Sequence, residues 1–284
     1  MSLGILTNVA ATYAENNLNQ TQNSLQNVLQ QLSSGSRINS GADDAAGLSI
    51  ADGLTANEAA LNQSAQNAQN GVGLLQTADG ALSQVTNLLD RAVTLATEAS
   101  NGGLTLAQSG AADTEFQSIL TEIGNIGSTT NFNSSAVFNG AAPTTFVLSD
   151  GTSAGVTTIS AAATALTATS IGGVTFSATD TLTGATAAAG QASAQTTLTD
   201  ITTAIAGISA ARGSIGANIN QLNAAANVAS SEEVNLSSAQ SAILSTNFGQ
   251  ATSDLAKFQV LSQTGISALA QANSSQQEIL KLLQ

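Results

Sequence analysis

The sequence predicts a mainly α protein: long helices packed antiparallel as a rod with coiled-coil seams, plus a small β-containing insert. Three observations lead there. Leu54, Leu61, Ala68, Leu75, Leu82, Leu89 and Ala96 fall seven apart without a break, and a sustained heptad marks a coiled-coil seam. A second apolar stripe with three-and-four spacing lies near the other end of the chain, from Leu198 to Ala229. The third observation is compositional: 284 residues contain one Pro and 3% aromatics, which suits helices packed through Ala and Leu rather than an aromatic-rich core.

Taken in order, residues 1–32 read as a helix from about Asn8. Leu18, Leu25 and Leu32 repeat at seven, with Val28 and Leu29 beside them. The stripe is narrow and the other face is Asn, Gln and Ser, so this helix needs a partner. Ser33, Ser34, Gly35 and Ser36 then favour a turn. Ser40 or Asp43 is placed to cap the next helix, and the carboxylates of Asp43 and Asp44 suit the positive end of its dipole. That helix covers about 43–100 and would run roughly 85 Å at 1.5 Å per residue. Gly71, Gly73 and Gly80 weaken it by up to about 1 kcal/mol each, and Asn101-Gly102-Gly103 ends it.

A shorter helix follows from about Leu104 to Ile126, with Phe116, Ile119, Leu120 and Ile123 on one side. The character then changes. Val137-Phe138, Asn139-Gly140 and Thr145-Phe146-Val147-Leu148 read as one hairpin. Residues 157–170 and Val174-Thr175-Phe176 are β-prone and rich in Thr. A long helix returns from about Ala192 to Ser230, with Ile201, Ile208, Ile215 and Leu222 in its seam. Arg212 takes a seam position, to cross to an acid on a facing helix or to extend to the rim. After Glu232 and Glu233 a last helix is expected over roughly Ser237–Leu283, with Phe258, Leu269, Leu280 and Leu283 on its apolar side.

Composition narrows the function classes. The chain has no Cys and no His, which excludes disulfides and thiol catalysis and argues against the usual zinc sets. No catalytic constellation appears, and no cofactor motif: Gly71-x-Gly73 lacks the strand and later glycines of a nucleotide fold. Asp43 and Asp44 offer too few ligands for Ca²⁺. No apolar run is long enough for a membrane span, and no basic segment with an apolar block opens the chain. The net charge of −13 is carried entirely by residues 41–236, where Arg91 and Arg212 are the only cations; 1–40 and 237–284 are each neutral. An acidic middle argues against nucleic acid. Neutral ends can crowd together in many copies while the middle stays solvated.

The motifs are more specific than the composition. Ser33-Ser34-Gly35-Ser36-Arg37-Ile38-Asn39-Ser40, followed by Asp43-Asp44-Ala45-Ala46-Gly47-Leu48, resembles the N-terminal signature of bacterial flagellins. Asn17-Leu18-Asn19-Gln20-Thr21, Gly80-Ala81-Leu82 and Asn131-Phe132-Asn133 extend the resemblance. Arg212-Gly213-Ser214-Ile215-Gly216-Ala217 and Ala268-Leu269-Ala270-Gln271-Ala272-Asn273 are similar to the family's C-terminal half. The resemblance covers about residues 1–140 and 192–284. It departs from the family at Ala242–Gly249, where relatives often carry charges.

The resemblance implies a structural subunit that polymerises into the flagellar filament, secreted through the flagellar type III apparatus and located outside the cell. Its partners would be copies of itself, an export chaperone, and the cap and hook-junction proteins. A hook–filament junction protein and a secreted coiled-coil adhesin are the alternatives; the full Arg-Ile-Asn to Asp-Asp-Ala-Ala-Gly-Leu run favours flagellin. The resemblance also aligns Arg91, Leu95 and Glu115 with residues through which stimulatory flagellins engage a vertebrate toll-like receptor; Val93 stands where a basic residue is common. Three regions are expected: 1–40 with 237–284 as a terminal spine, 41–140 with 191–236 as the rod core with a β-hairpin, and 141–190 as a variable surface insert. The narrow terminal stripes predict ends that are disordered until they find partners.

Overall fold

The computed structural model describes residues 8–138, 144–152, 157–161 and 165–282. Five helices carry the fold: α1 (Val9–Ser34), α2 (Ala45–Ala99), α3 (Leu106–Thr129), α4 (Ala187–Leu244) and α5 (Phe248–Leu282). Among the described residues between α3 and α4 lie six short strands: β1 (Asn131–Phe132), β2 (Ser135–Ala136), β3 (Thr144–Leu148), β4 (Thr157–Ala161), β5 (Ser170–Ile171) and β6 (Val174–Thr175). They pair in sequence as three antiparallel two-stranded ladders. The mainly α class therefore holds. Among the described residues no helix is long and apolar enough to cross a membrane.

Each helix end has a chemical cause. Asn8 caps α1 through the Ala11 amide, and Gly35 closes it in the left-handed conformation, φ 71°. The cap of α2 is Asp44, whose Oδ1 accepts from Gly47 N at 2.8 Å. Ser40 and Asp43, the expected caps, instead build the preceding turn: the Asp43 carboxylate accepts from Asn39 N, Ser40 N and Ser40 Oγ. Thr105 and Gln108 form a reciprocal capping box at α3. The α2 helix continues unbroken through Gly71, Gly73 and Gly80, because packing of its apolar face outweighs their propensity cost.

Four expectations are corrected. The helix expected from Ala192 begins at Ala187, since the Thr186 hydroxyl accepts from Ala189 N. It does not stop near Ser230 but runs to Leu244; Glu232 and Glu233 continue it, and Glu233 accepts from Asn62 on α2. The last helix accordingly starts at Phe248 rather than Ser237, after Asn247, whose side chain accepts from Gly249 N and Gln250 N. The expected pairing of 137–138 with 145–148 is not made. Phe132 pairs with Ser135 across a turn with Asn133 and Ser134 at positive φ, while 144–148 pairs with 157–161. The Asn139-Gly140 turn lies outside the described residues.

The chain divides into two compact units, 1–56 with 235–284, and 57–234. In the second unit α2 and α4 run antiparallel: Asn62 meets Glu233, Gly71 meets Leu222, Asp79 meets Arg212 and Gly102 meets Gln191. The continuous core lies here, with Leu75, Leu89, Phe116, Ile123, Ile201, Ile215 and Leu222 almost fully enclosed. Residues 165–182 also enter it. Leu166, Ile171, Phe176 and Leu182 are buried, and the Phe176 ring meets Phe116 edge-on at 6.4 Å. This part of the expected surface insert is thus a strap on the helices. Its signal was hidden because its apolar residues follow neither helical nor strand period.

Candidate self-assembly surface

A junction ties the segment after α1 to the loop between α4 and α5. Gly35 turns the chain out of α1, and the next residues meet the loop between α4 and α5. Ser36 and Ser245 form an antiparallel bridge. Arg37 N donates to Leu244 O at 2.6 Å, and Thr246 N donates to Gly35 O at 3.0 Å. The Arg37 guanidinium reaches Ile243 O at 2.9 Å, near the last carbonyls of α4, where a cation also suits the helix dipole. Gln31 returns from α1 to Arg37 O. Asp43 locks the far side of the loop, and its hydrogen bonds from Asn39 and Ser40 hold its carboxyl below the usual carboxylate range. The Ser-Gly-Ser-Arg-Ile-Asn motif is thus a backbone clasp between the first and last parts of the chain. The sequence marked the motif, but its partners Ile243–Thr246 carried no signal of their own.

From this clasp α1 and α5 run antiparallel. Gly35 lies against Phe248, Leu18 against Gly265, and the Asn8 amide donates to Ala272 O. The expected spine residues Leu18, Leu25, Leu32, Phe258 and Leu269 are half-buried. Leu280 falls within α5, and Leu283 lies outside the described residues. Among the described residues of these two helices only Val28 and Ala251 are buried. Several large apolar side chains stand in solvent instead: Val9, Tyr13 at 68% exposure, Leu29, Phe248, Val260 at 63%, Leu261 and Ile266. Seven-residue spacing could not find Tyr13 and Val260, because they lie off the seam.

The seam residues of the second unit lie inside it. Leu61, Leu75, Leu82, Leu89, Ile201, Ile208, Ile215 and Leu222 are buried. Leu54, in the first unit, is half-buried. Arg212 pairs with Asp79 at 2.8 Å, an acid that spacing did not single out; their hydrogen bond raises the guanidinium pKa.

Arg91 on α2 and Glu115 on α3 form an ion pair, Nε to Oε1 2.8 Å, with both side chains about half exposed. The shared hydrogen bond raises the Arg91 pKa and lowers that of Glu115. Leu95 does not join them at the surface. It is 3% exposed and faces the core, because its place beside Ala92, Ala96 and Ala99 puts it on the inner side of α2.

Residues 5–142 match the bacterial flagellin N-terminal helical region, and residues 198–283 match the bacterial flagellin C-terminal helical region. The chain belongs to the bacterial flagellin family. Flagellin B of Vibrio cholerae is 37% identical over 140 residues, 49% of this chain and 37% of that protein. B-type flagellin of Pseudomonas aeruginosa is 40% identical over 145 residues, 51% of this chain and 30% of its own length. The matched stretch thus spans well under half of these flagellins. The crystal structure of Bacillus cereus flagellin is 26% identical, with a TM-score of 0.45, covering 57% of this chain and 88% of that one.

Proposed function

We propose that this chain is the subunit of the bacterial flagellar filament, polymerising with copies of itself outside the cell and working through assembled shape rather than catalysis. The observation that carries the reading is the α1–α5 pair. It is tied together by the clasp, yet leaves Tyr13, Val260, Leu261 and Ile266 in water. Further copies can cover that apolar surface, and these end segments carry no net charge to oppose crowding. A head-to-tail interface of this kind does not close and builds a helical polymer. Residues 1–40 with 237–284 would form its spine, 41–140 with 191–236 its wall, and within 141–190 the ladder of 144–148 with 157–161 would be the variable outer part.

The test is a Val260→Asp, Leu261→Asp double variant. Its circular dichroism should match the parent chain, because neither side chain is enclosed, and seeding should yield no sedimentable filament. Normal filaments from this variant would end the reading.

The family also supports finer partners. An export chaperone would cover α5 before assembly, and cap and hook-junction proteins would meet the same helices at the polymer ends. The exposed Arg91–Glu115 pair supports contact between the monomer and the flagellin-sensing toll-like receptor, with Leu95 acting only through the packing of α2. Arg91→Ala and Glu115→Ala monomers should signal more weakly in a reporter-cell assay; full signalling from both would remove the receptor from the list.

A further inference from the structure

The turn between α2 and α3 reads Ser100-Asn101-Gly102-Gly103, and its geometry differs from every other described Asn-Gly pair in one chemical respect. Asn101 is exposed. Its own amide N donates to Glu98 O, but among the described residues nothing holds its side chain, and nothing accepts from the Gly102 N–H. Beyond Gly102 the space is open at Gly103; on the other side only the flexible Gln191 side chain comes near. Asn70-Gly71 has the same two residues, but it sits in the middle of α2 with Gly71 buried against Leu222 and Phe146, and a mid-helix N–H is bonded to the carbonyl four residues back.

We propose that Asn101 is a site of spontaneous, age-dependent modification in the folded chain, converting to aspartate and isoaspartate, whereas Asn70 is protected. The Gly102 nitrogen, losing its proton to water, bonds to Cγ of Asn101. The Cγ–Nδ2 bond breaks and ammonia leaves, closing a five-membered succinimide. Water then opens the ring at either carbonyl. Opening at Cγ gives aspartate, and opening at the backbone carbon gives isoaspartate. The net change is one amide and one water to one carboxylate and one ammonium, with no other reagent. The folded chain lets this happen at Asn101 because a glycine lacks the side chain that would shield its nitrogen, and because a loop reaches the ring-closing geometry without opening a helix. At Asn70 the same geometry requires local unfolding of a core helix, which costs far more free energy than fraying of a turn.

The product carries a new negative charge just past the C-terminus of α2, where carbonyl dipoles and Glu98 already disfavour an anion. Aged chains would therefore gain one negative charge and lose some hold on the α2–α3 turn, independently of polymerisation.

The experiment is ageing of the full chain at mildly alkaline pH, in its native state and unfolded in guanidinium, followed by peptide mapping and isoaspartyl methyl-transfer labelling. In the native chain the Asn101 peptide should convert at least about tenfold faster than the Asn70 peptide, the rate ratio given by about 1.4 kcal/mol of barrier. In the unfolded chain the two should converge, and Gly102→Ala should slow the native reaction at Asn101 while leaving circular dichroism unchanged. Equal native rates at Asn70 and Asn101, or an Asn101 that converts only when unfolded, would overturn the proposal.

Discussion

Gly127 and Gly80 are both helical glycines, and the side chains around them give them opposite roles. A Cβ on Gly127 would collide with the Leu166 carbonyl oxygen, and one on Gly80 would meet nothing within 4 Å. Gly127→Ala should destabilise the protein by about 1–3 kcal/mol or more, because the strap backbone has to move. Gly80→Ala should stabilise it by about 1 kcal/mol through helix propensity alone. Chemical denaturation of the two variants checks both signs. Glu115 offers a pH test at the same scale. Its folded-state pKa is lowered by the Arg91 hydrogen bond, so the pair's contribution is complete above the ordinary carboxylate range and disappears as pH falls through the folded value. The melting temperatures of the parent and Glu115→Gln should therefore differ modestly at neutral pH, as fits an exposed pair, and converge in acid. A gap that widened in acid would contradict the assignment.

For the elements, the α2–α4 seam and the clasp differ in what holds them. The seam is apolar: Leu222 is fully buried and lies against Gly71. Leu222→Ala should cost about 2–5 kcal/mol, since a long rigid seam collapses little around a lost side chain. The clasp is held by backbone hydrogen bonds and by caps. Asn247→Ala removes the acceptor for Gly249 N and Gln250 N and should cost about 0.5–2 kcal/mol. Hydrogen exchange should then rise at the start of α5 before it rises in α2. Helix type and phase were legible from spacing at every one of these elements. The end of α4 was not, because Glu232 and Glu233 read as a break along the chain; Asn62 across the seam accounts for the place of Glu233 inside a helix.

In the whole molecule, stability is unevenly distributed. The unit of residues 57–234 holds the continuous core, whereas among the described residues of α1 and α5 only Val28 and Ala251 are buried. In the isolated chain, protection of α1 and α5 amides should be lost at much lower denaturant than protection of α2 and α3. Assembly should reverse this order, because partner copies stabilise the state they bind and make apparent stability depend on concentration. Protection of α1 and α5 that is the same in monomer and polymer would count against copies covering these helices.

By itself the sequence determined what depends on local period and composition. A heptad can only be satisfied by a facing helix, so Leu61 through Leu89 and Ile201 through Leu222 announced two partners. The neutral ends and the absence of His and Cys bounded the chemistry. The junction motif was also legible as a motif. Which atoms it would meet was not, since Ile243–Thr246 lie some two hundred residues away and offer backbone carbonyls and amides, which every residue has. Tertiary structure alone decided the rest: the strap of 165–182 lies in the core because Gly124, Gly127 and Gly207 let its backbone approach the helices. It turned Leu95 inward, and it brought Arg91 to Glu115 and Arg212 to Asp79. These are outcomes of approach between distant segments, and no spacing along one segment encodes the distance to another.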